Sequence, residues 1–142
     1  MLTKEGFEVG GVPCNVTKPG ELEKFVSSAV RYFSQFSCSP SSTSSTAPLP
    51  VPIHHVVSNV GVNPAMGMTL DQEERVYDKI ANANVRSHWL LLKLVRPYLP
   101  SGGSVVLVSS TGGHAPSPPL GLYSASKTHL IGLGRTLACE LG

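Results

Sequence analysis

The chain has 142 residues, 41% of them apolar and 14% charged, with a formal net charge of +2. That length suits one domain with a modest core, and so small a charge argues against nucleic acid or an anionic membrane surface as partner. No apolar run approaches the roughly 20 residues of a membrane span, and the opening Met1-Leu2-Thr3-Lys4-Glu5-Gly6 lacks the apolar stretch of a secretory signal.

Taken in chain order, Phe7 to Val16 mixes glycine with apolar residues and reads as a strand leading to a turn. Thr17-Lys18-Pro19-Gly20-Glu21 reads as a helix start, with Thr17 or a neighbour as cap and acidic residues in the first turn. Leu22, Phe25, Val26, Val30 and Phe33 give that helix an apolar stripe. Residues 37–50 are mostly Ser, Thr and Pro and read as a disordered insertion. Ile53 to Ser58 reads as the next strand, and a long helix is expected from about Leu70 to Leu99, ended by Pro97 and Pro100. Ser104 to Ser110 reads as a buried parallel-type strand between Gly102-Gly103 and Gly112-Gly113. Leu120 to Leu141 reads as the last helix. The order β-α-β-α-β-α predicts a parallel sheet with helices on its faces. Cys14, Cys38 and Cys139 have no metal-ligand spacing and read as reduced thiols of an intracellular protein. His54-His55 falls in a strand-like run and the other histidines are scattered, so no metal site is expected.

Tyr123-Ser124-Ala125-Ser126-Lys127 carries the chemistry. It opens an apolar segment in which Leu130, Leu133, Leu137 and Leu141 recur at helical spacing. Positions i and i+4 share a helix face, so the phenol and the ammonium are expected side by side. A nearby positive charge favours the phenolate, and a tyrosine tuned in that way transfers protons near neutral pH. Ser110 would stand at the carboxyl end of its strand, the edge at which open α/β sheets bind ligands. Ser109 is its competitor on spacing-free grounds. A lone Tyr-x-x-x-Lys is a surface pair in most proteins; the strand, the Gly/Pro loop and the helix around it are what give it weight.

The pieces Val57-Ser58-Asn59-Val60-Gly61-Val62-Asn63-Pro64, Asn82-Ala83-Asn84-Val85, Ser104 to Ser110 and Tyr123 to Lys127, in this order, resemble the short-chain dehydrogenases/reductases. The resemblance runs from about Leu2 to Leu141 and is closest to the member 4 branch of the dehydrogenase/reductase group, carbonyl and retinal reductases that use NADPH. It implies a partial Rossmann-like, doubly wound α/β sheet in three layers, α/β/α, filling residues 1–142 as one incomplete domain. The family's Thr-Gly-x-x-x-Gly-x-Gly turn has no counterpart, and the family's sequence also runs on past the position of Gly142. In the sheet order 3-2-1-4-5-6-7 the strands present correspond to 3, 4 and 5, so the Phe7–Val16 strand is expected to lack its neighbours. A chain built this way is expected to be poorly stable alone.

The resemblance assigns Tyr123 as general acid in carbonyl reduction and Lys127 as holder of the nicotinamide ribose. It makes Ser110 the residue that steadies the substrate oxygen, the serine being selected over Ser109 by its distance from Tyr123. Asn84, rather than Asn82, would hold a water in a proton path toward the lysine. Asn59 and Gly61 match a turn along the adenosine half of the cofactor, with Val60 in place of the usual Ala. Asn15 stands where many members place an Asp that reaches the adenine amino group; a plain turn residue is the competing reading. His54 also replaces a usual Asp. The implied function is hydride transfer between NADP(H), with NAD the alternative cofactor, and a small-molecule carbonyl or secondary alcohol, in a homo-oligomer that is a tetramer in the family. The compartment is expected to be cytoplasmic or peroxisomal. The alternative is a noncatalytic fragment that keeps only the two subunit-interface helices and serves as an interaction piece.

Overall fold

A two-stranded parallel sheet is the centre of the computed structural model, which describes residues 6, 8–36 and 51–142. The expected insertion at 37–50 lies outside the described residues. Strand β1 (His55–Ser58) runs beside β2 (Ser104–Leu107), with His55 opposite Ser104 and Ser58 opposite Leu107. The pleat sends alternate side chains to opposite faces. Val56 and Ser58 are buried and Val105 and Leu107 half-buried, whereas Val57 and Val106 are 65% and 50% exposed on the other face.

Among the described residues, four α-helices accompany the sheet: α1 (Glu21–Ser34), α2 (Glu74–Ile80), α3 (Ser87–Val95) and α4 (Gly121–Leu141). Val26 of α1, Val56 of β1, and Leu92 and Val95 of α3 form one buried cluster, against which Phe25, Val105, Leu107 and Leu137 pack. Helices α1, α3 and α4 therefore lie on the same face of the sheet. The described residues supply that helical layer and part of the sheet of an α/β/α fold. Among them, no helix is long and apolar enough to cross a membrane.

Helix α1 forms where its stripe places it, with Leu22 and Val26 buried, Glu21 and Glu23 in the first turn and Arg31 in the last, charges that suit the helix dipole. Its start differs from the expectation. Gly20 is the N-cap, at φ 76°, with no side-chain cap, and the Thr17 hydroxyl donates instead to Asn15 Oδ1 at 2.8 Å.

Three further expectations are corrected. Residues 8–16 form no strand and are exposed along nearly all their length. A strand is defined by its ladder, and the β1–β2 sheet does not reach this segment; the Tyr32 hydroxyl, donating to the Val9 carbonyl at 3.2 Å, is one bond that tethers it. The long helix begins at Glu74 instead of Leu70, which is 97% exposed in a single 3-10 turn, Thr69–Asp71. Between α2 and α3 the helix widens to a π-helix over Ala81–Arg86, and it closes with the 3-10 turn Arg96–Tyr98. Strand β2 ends at Leu107, short of Ser110, because β1 has no residue to pair beyond Ser58, whose carbonyl takes the Val108 N–H at 3.0 Å as the last rung.

Candidate active site

Lys127 is the pivot of the polar cluster at the carboxyl ends of both strands. It is 3% exposed. Its ammonium donates to the Val60 carbonyl at 3.0 Å and to the Val108 carbonyl at 2.9 Å. One acceptor follows β1 by two residues and the other follows β2 directly, so the charge bridges the sheet's edge. Burial pushes the Lys127 pKa below the ordinary lysine range. An ammonium carries three hydrogens; these two bonds leave one for a ligand.

Helix α4 is pinned at this point. The Ser109 hydroxyl donates to the Lys127 carbonyl at 2.7 Å, and the Thr128 hydroxyl donates to the Gly113 carbonyl at 2.8 Å. Ser109 is thereby committed to the helix backbone. Ser110, in extended backbone at φ −157°, accepts the Gly112 N–H at 3.2 Å and leaves its own hydroxyl hydrogen for another partner. A Cβ on Gly112 would stand 3.6 Å from Ser110 Oγ and 3.9 Å from Tyr123 Cε1, so the hydroxyl and the phenol ring flank one glycine. The Lys127 ammonium lies 5.9 Å from the Tyr123 ring centroid. Ser110, Tyr123 and Lys127 are thus gathered. The groove along the free edge of β2, lined by Val105, Leu107, Leu130 and Leu137, includes none of the three.

Gly113 is a point of close approach between loop and helix. A Cβ there would stand 2.8 Å from Ser109 Oγ and 3.0 Å from the Lys127 backbone carbonyl. Because the backbone cannot rotate aside, Gly113→Ala is expected to destabilise the fold by about 1–3 kcal/mol, read as a lowered thermal midpoint.

Asn84, fully buried within the π-helix, brings a second layer to the site. Its Oδ1 accepts the Val62 N–H at 2.8 Å, and its Nδ2 donates to the Val62 carbonyl at 2.9 Å and to Ser126 Oγ at 3.0 Å. Ser126 in turn donates to the Tyr123 carbonyl at 2.6 Å. Both amide hydrogens are spent, so the side chain anchors the loop after β1 and the first turn of α4; Oδ1 keeps one lone pair, which a water could use. Asn82, the competitor, is exposed and bonds back to the Asp78 carbonyl.

His88 is a residue that the sequence reading passed over. It is fully buried, with Nδ1 2.7 Å from Ser58 Oγ and Nε2 3.1 Å from the Val60 carbonyl. Burial is the main force holding its pKa below the ordinary 6.5; the bond to Val60 opposes this, and electrostatic repulsion from Lys127 and His129 adds to it. A histidine depressed in the fold lets the unfolded chain take up its proton first as pH falls. The stability present above the unfolded pKa is therefore lost as pH drops below 6.5 toward the folded value. The urea midpoint should fall between about pH 7.5 and about pH 5.5, and fall less in His88→Gln.

The cofactor candidates separate into two groups. Asn59 and Gly61 are exposed at the turn that follows β1, and a Cβ on Gly61 would come within 3.0 Å of Lys127 Nζ. A bare backbone beside a half-committed ammonium at a sheet's carboxyl edge fits a ribose with its paired hydroxyls. Asn15 stays apart. Its Oδ1 accepts both the Thr17 N–H at 3.1 Å and the Thr17 hydroxyl at 2.8 Å, which uses both lone pairs. The acceptor expected to meet an adenine amino group is not available in this arrangement, and Asn15 is a turn residue.

A family model described as enoyl-(acyl carrier protein) reductase matches residues 51–142. Dehydrogenase/reductase SDR family member 2, mitochondrial, of Homo sapiens is 38% identical over 141 residues, covering 99% of this chain and 44% of that protein. Dehydrogenase/reductase SDR family member 4 of Sus scrofa is 39% identical over 142 residues, covering 99% of this chain and 45% of that protein. Among solved structures, angucycline C-6 ketoreductase LanV with bound NADP matches with a TM-score of 0.85 at 20% identity, over 99% of this chain and 50% of that one; at that identity the likeness is one of fold. The chain spans less than half the length of these two curated relatives.

Proposed function

Because this chain belongs to the short-chain dehydrogenase/reductase family, we propose that it carries the proton-transfer site of an oxidoreductase acting on a carbonyl or secondary alcohol with NADP(H). The observation that carries the reading is the buried Lys127 ammonium, tied to the carboxyl ends of both strands and 5.9 Å from the Tyr123 ring. Lys127, Tyr123, Gly61 and Asn59 would hold the dinucleotide, whose nicotinamide supplies or accepts the hydride.

The chain's own residues do the rest. Ser110 takes the Gly112 N–H on its oxygen, which leaves its hydroxyl hydrogen free to meet the substrate oxygen and steady the charge that develops there. Tyr123 gives that oxygen a proton from its phenol during reduction and takes it back during oxidation. Asn84 and Ser126 hold the first turn of α4, so the phenol and the ammonium keep their separation.

The test is NADPH consumption with a panel of ketones and aldehydes, on this chain and on any longer protein that contains it. No turnover with any of them, together with no dinucleotide binding, would end the reading. A second reading is favoured by the open sheet face, where Val57 and Val106 are exposed. A chain of this kind would then serve as a noncatalytic piece that joins further copies or subunits of its family. Oligomer formation without turnover, measured by sedimentation and the same assay, is its expected signature.

A further inference from the structure

We propose that His88 is a positioning residue that sets where the Lys127 ammonium stands, by clamping the Val60 carbonyl between itself and Lys127. The claim builds on the reading of Lys127 as the cofactor-holding residue. A carbonyl only accepts hydrogen bonds, so the hydrogen of the neutral ring must be on Nε2, which faces Val60 at 3.1 Å. Nδ1 is then bare and accepts the Ser58 hydroxyl at 2.7 Å. The Val60 carbonyl takes His88 Nε2–H on one lone pair and Lys127 Nζ–H on the other at 3.0 Å. Lys127 passes the chain on to the Val108 carbonyl at 2.9 Å. A continuous line of bonds thus runs from the end of β1, through α3 and the turn after β1, to α4 and the end of β2.

The placement explains why an imidazole is buried here at all. A leucine would fill similar space without the desolvation that a buried polar ring costs unless both nitrogens are bonded. Both bonds are made, and they lead to the last residue of β1 and to the carbonyl that Lys127 uses. Val60 lies between exposed Asn59 and exposed Gly61, outside the β1–β2 ladder. Its carbonyl has no strand partner to fix its direction, and His88, rooted in the rigid helix α3, supplies one.

The experiment compares His88→Leu with His88→Gln, whose Nε2–H reproduces the donor toward Val60. Nitrogen-15 spectra of the unsubstituted protein should show His88 with a bare Nδ1 and a protonated Nε2. NADPH affinity, measured by calorimetry, should fall about tenfold in His88→Leu, the loss of roughly one hydrogen bond, and return to within about threefold in His88→Gln. The titration of the Lys127 side chain, followed by its carbon-13 and nitrogen-15 signals, should move in the leucine variant and be restored by glutamine. A hydrogen on Nδ1, or a Lys127 titration untouched by His88→Leu, would overturn the proposal, as would affinities that simply track the thermal midpoints of the two variants. If the unsubstituted protein binds no dinucleotide, the cofactor reading of Lys127 fails, while the tautomer and the lysine titration still decide the role of His88.

Discussion

Tyr123→Phe is expected to lower the rate of carbonyl reduction by about 10²–10⁴-fold, the usual worth of a positioned acid–base group. Dinucleotide affinity should fall far less than turnover, because the phenol's share in holding the cofactor is small beside its part in the transition state. The phenyl ring that remains keeps its place beside Gly112 and beneath the Lys127 ammonium, 5.9 Å away, so the neighbouring hydrogen bonds of Lys127, Ser109 and Thr128 have no reason to move. Only the hydroxyl is lost. A phenylalanine variant with unchanged turnover would mean that the substrate oxygen takes its proton elsewhere. A variant that loses affinity and turnover equally would mean that the phenol acts in binding alone. Ser110→Ala separates the partners further. It should reduce turnover by a smaller factor, about 10-fold to 10³-fold, as for the loss of one oxyanion-stabilising donor.

What the sequence made legible was the part of the site that is local in spacing. Tyr123 and Lys127 are four residues apart on a helix that its leucines announce, and Ser110 ends a valine-rich run that reads as a strand and forms one over Ser104–Leu107. The structure separates the two adjacent serines for a reason no spacing argument contains. The Ser109 hydroxyl is consumed by the Lys127 carbonyl, while Ser110 keeps its hydrogen. The π-helix over Ala81–Arg86 was not legible, since one extra residue in a turn leaves the apolar periodicity almost intact. It is nonetheless the part of the helix in which Asn84 is held. His88 was missed because it stands among Trp89, Leu90, Leu91 and Leu92, where a buried ring looks like one more core residue; its position four after Asn84 was the available signal. Asn15 carried its own warning in Thr17, two residues on, the spacing of a side-chain turn. Residues 8–16 show the limit of strand propensity, which measures fit to neighbouring strands more than any preference of the chain itself.

Asn84→Leu is expected to cost about 2–4 kcal/mol of stability, because it leaves buried or half-buried polar groups without partners. Leucine keeps the branching of asparagine but its methyl groups are bulkier than the amide, so the lost hydrogen bonds carry most of the cost and packing a part of it. Three are lost at once: those to the Val62 N–H, the Val62 carbonyl and Ser126 Oγ. Water can reach Val62, which is half-buried, and repay part of the loss; it cannot reach Asn84 itself. For a chain of this length the thermal midpoint should drop by about 5–15 °C. Ser126→Ala removes one of the three bonds and should cost about 1 kcal/mol. The double variant should then cost less than the sum, the mark of residues that share a bond. The two readings of Asn84 part at this measurement. If the side chain acts only in a proton path, Asn84→Leu keeps its melting temperature and loses turnover alone. If it anchors the loop after β1 to the first turn of α4, stability falls first, and the loss of turnover follows from a Tyr123 that no longer stands where Lys127 and Ser110 can use it.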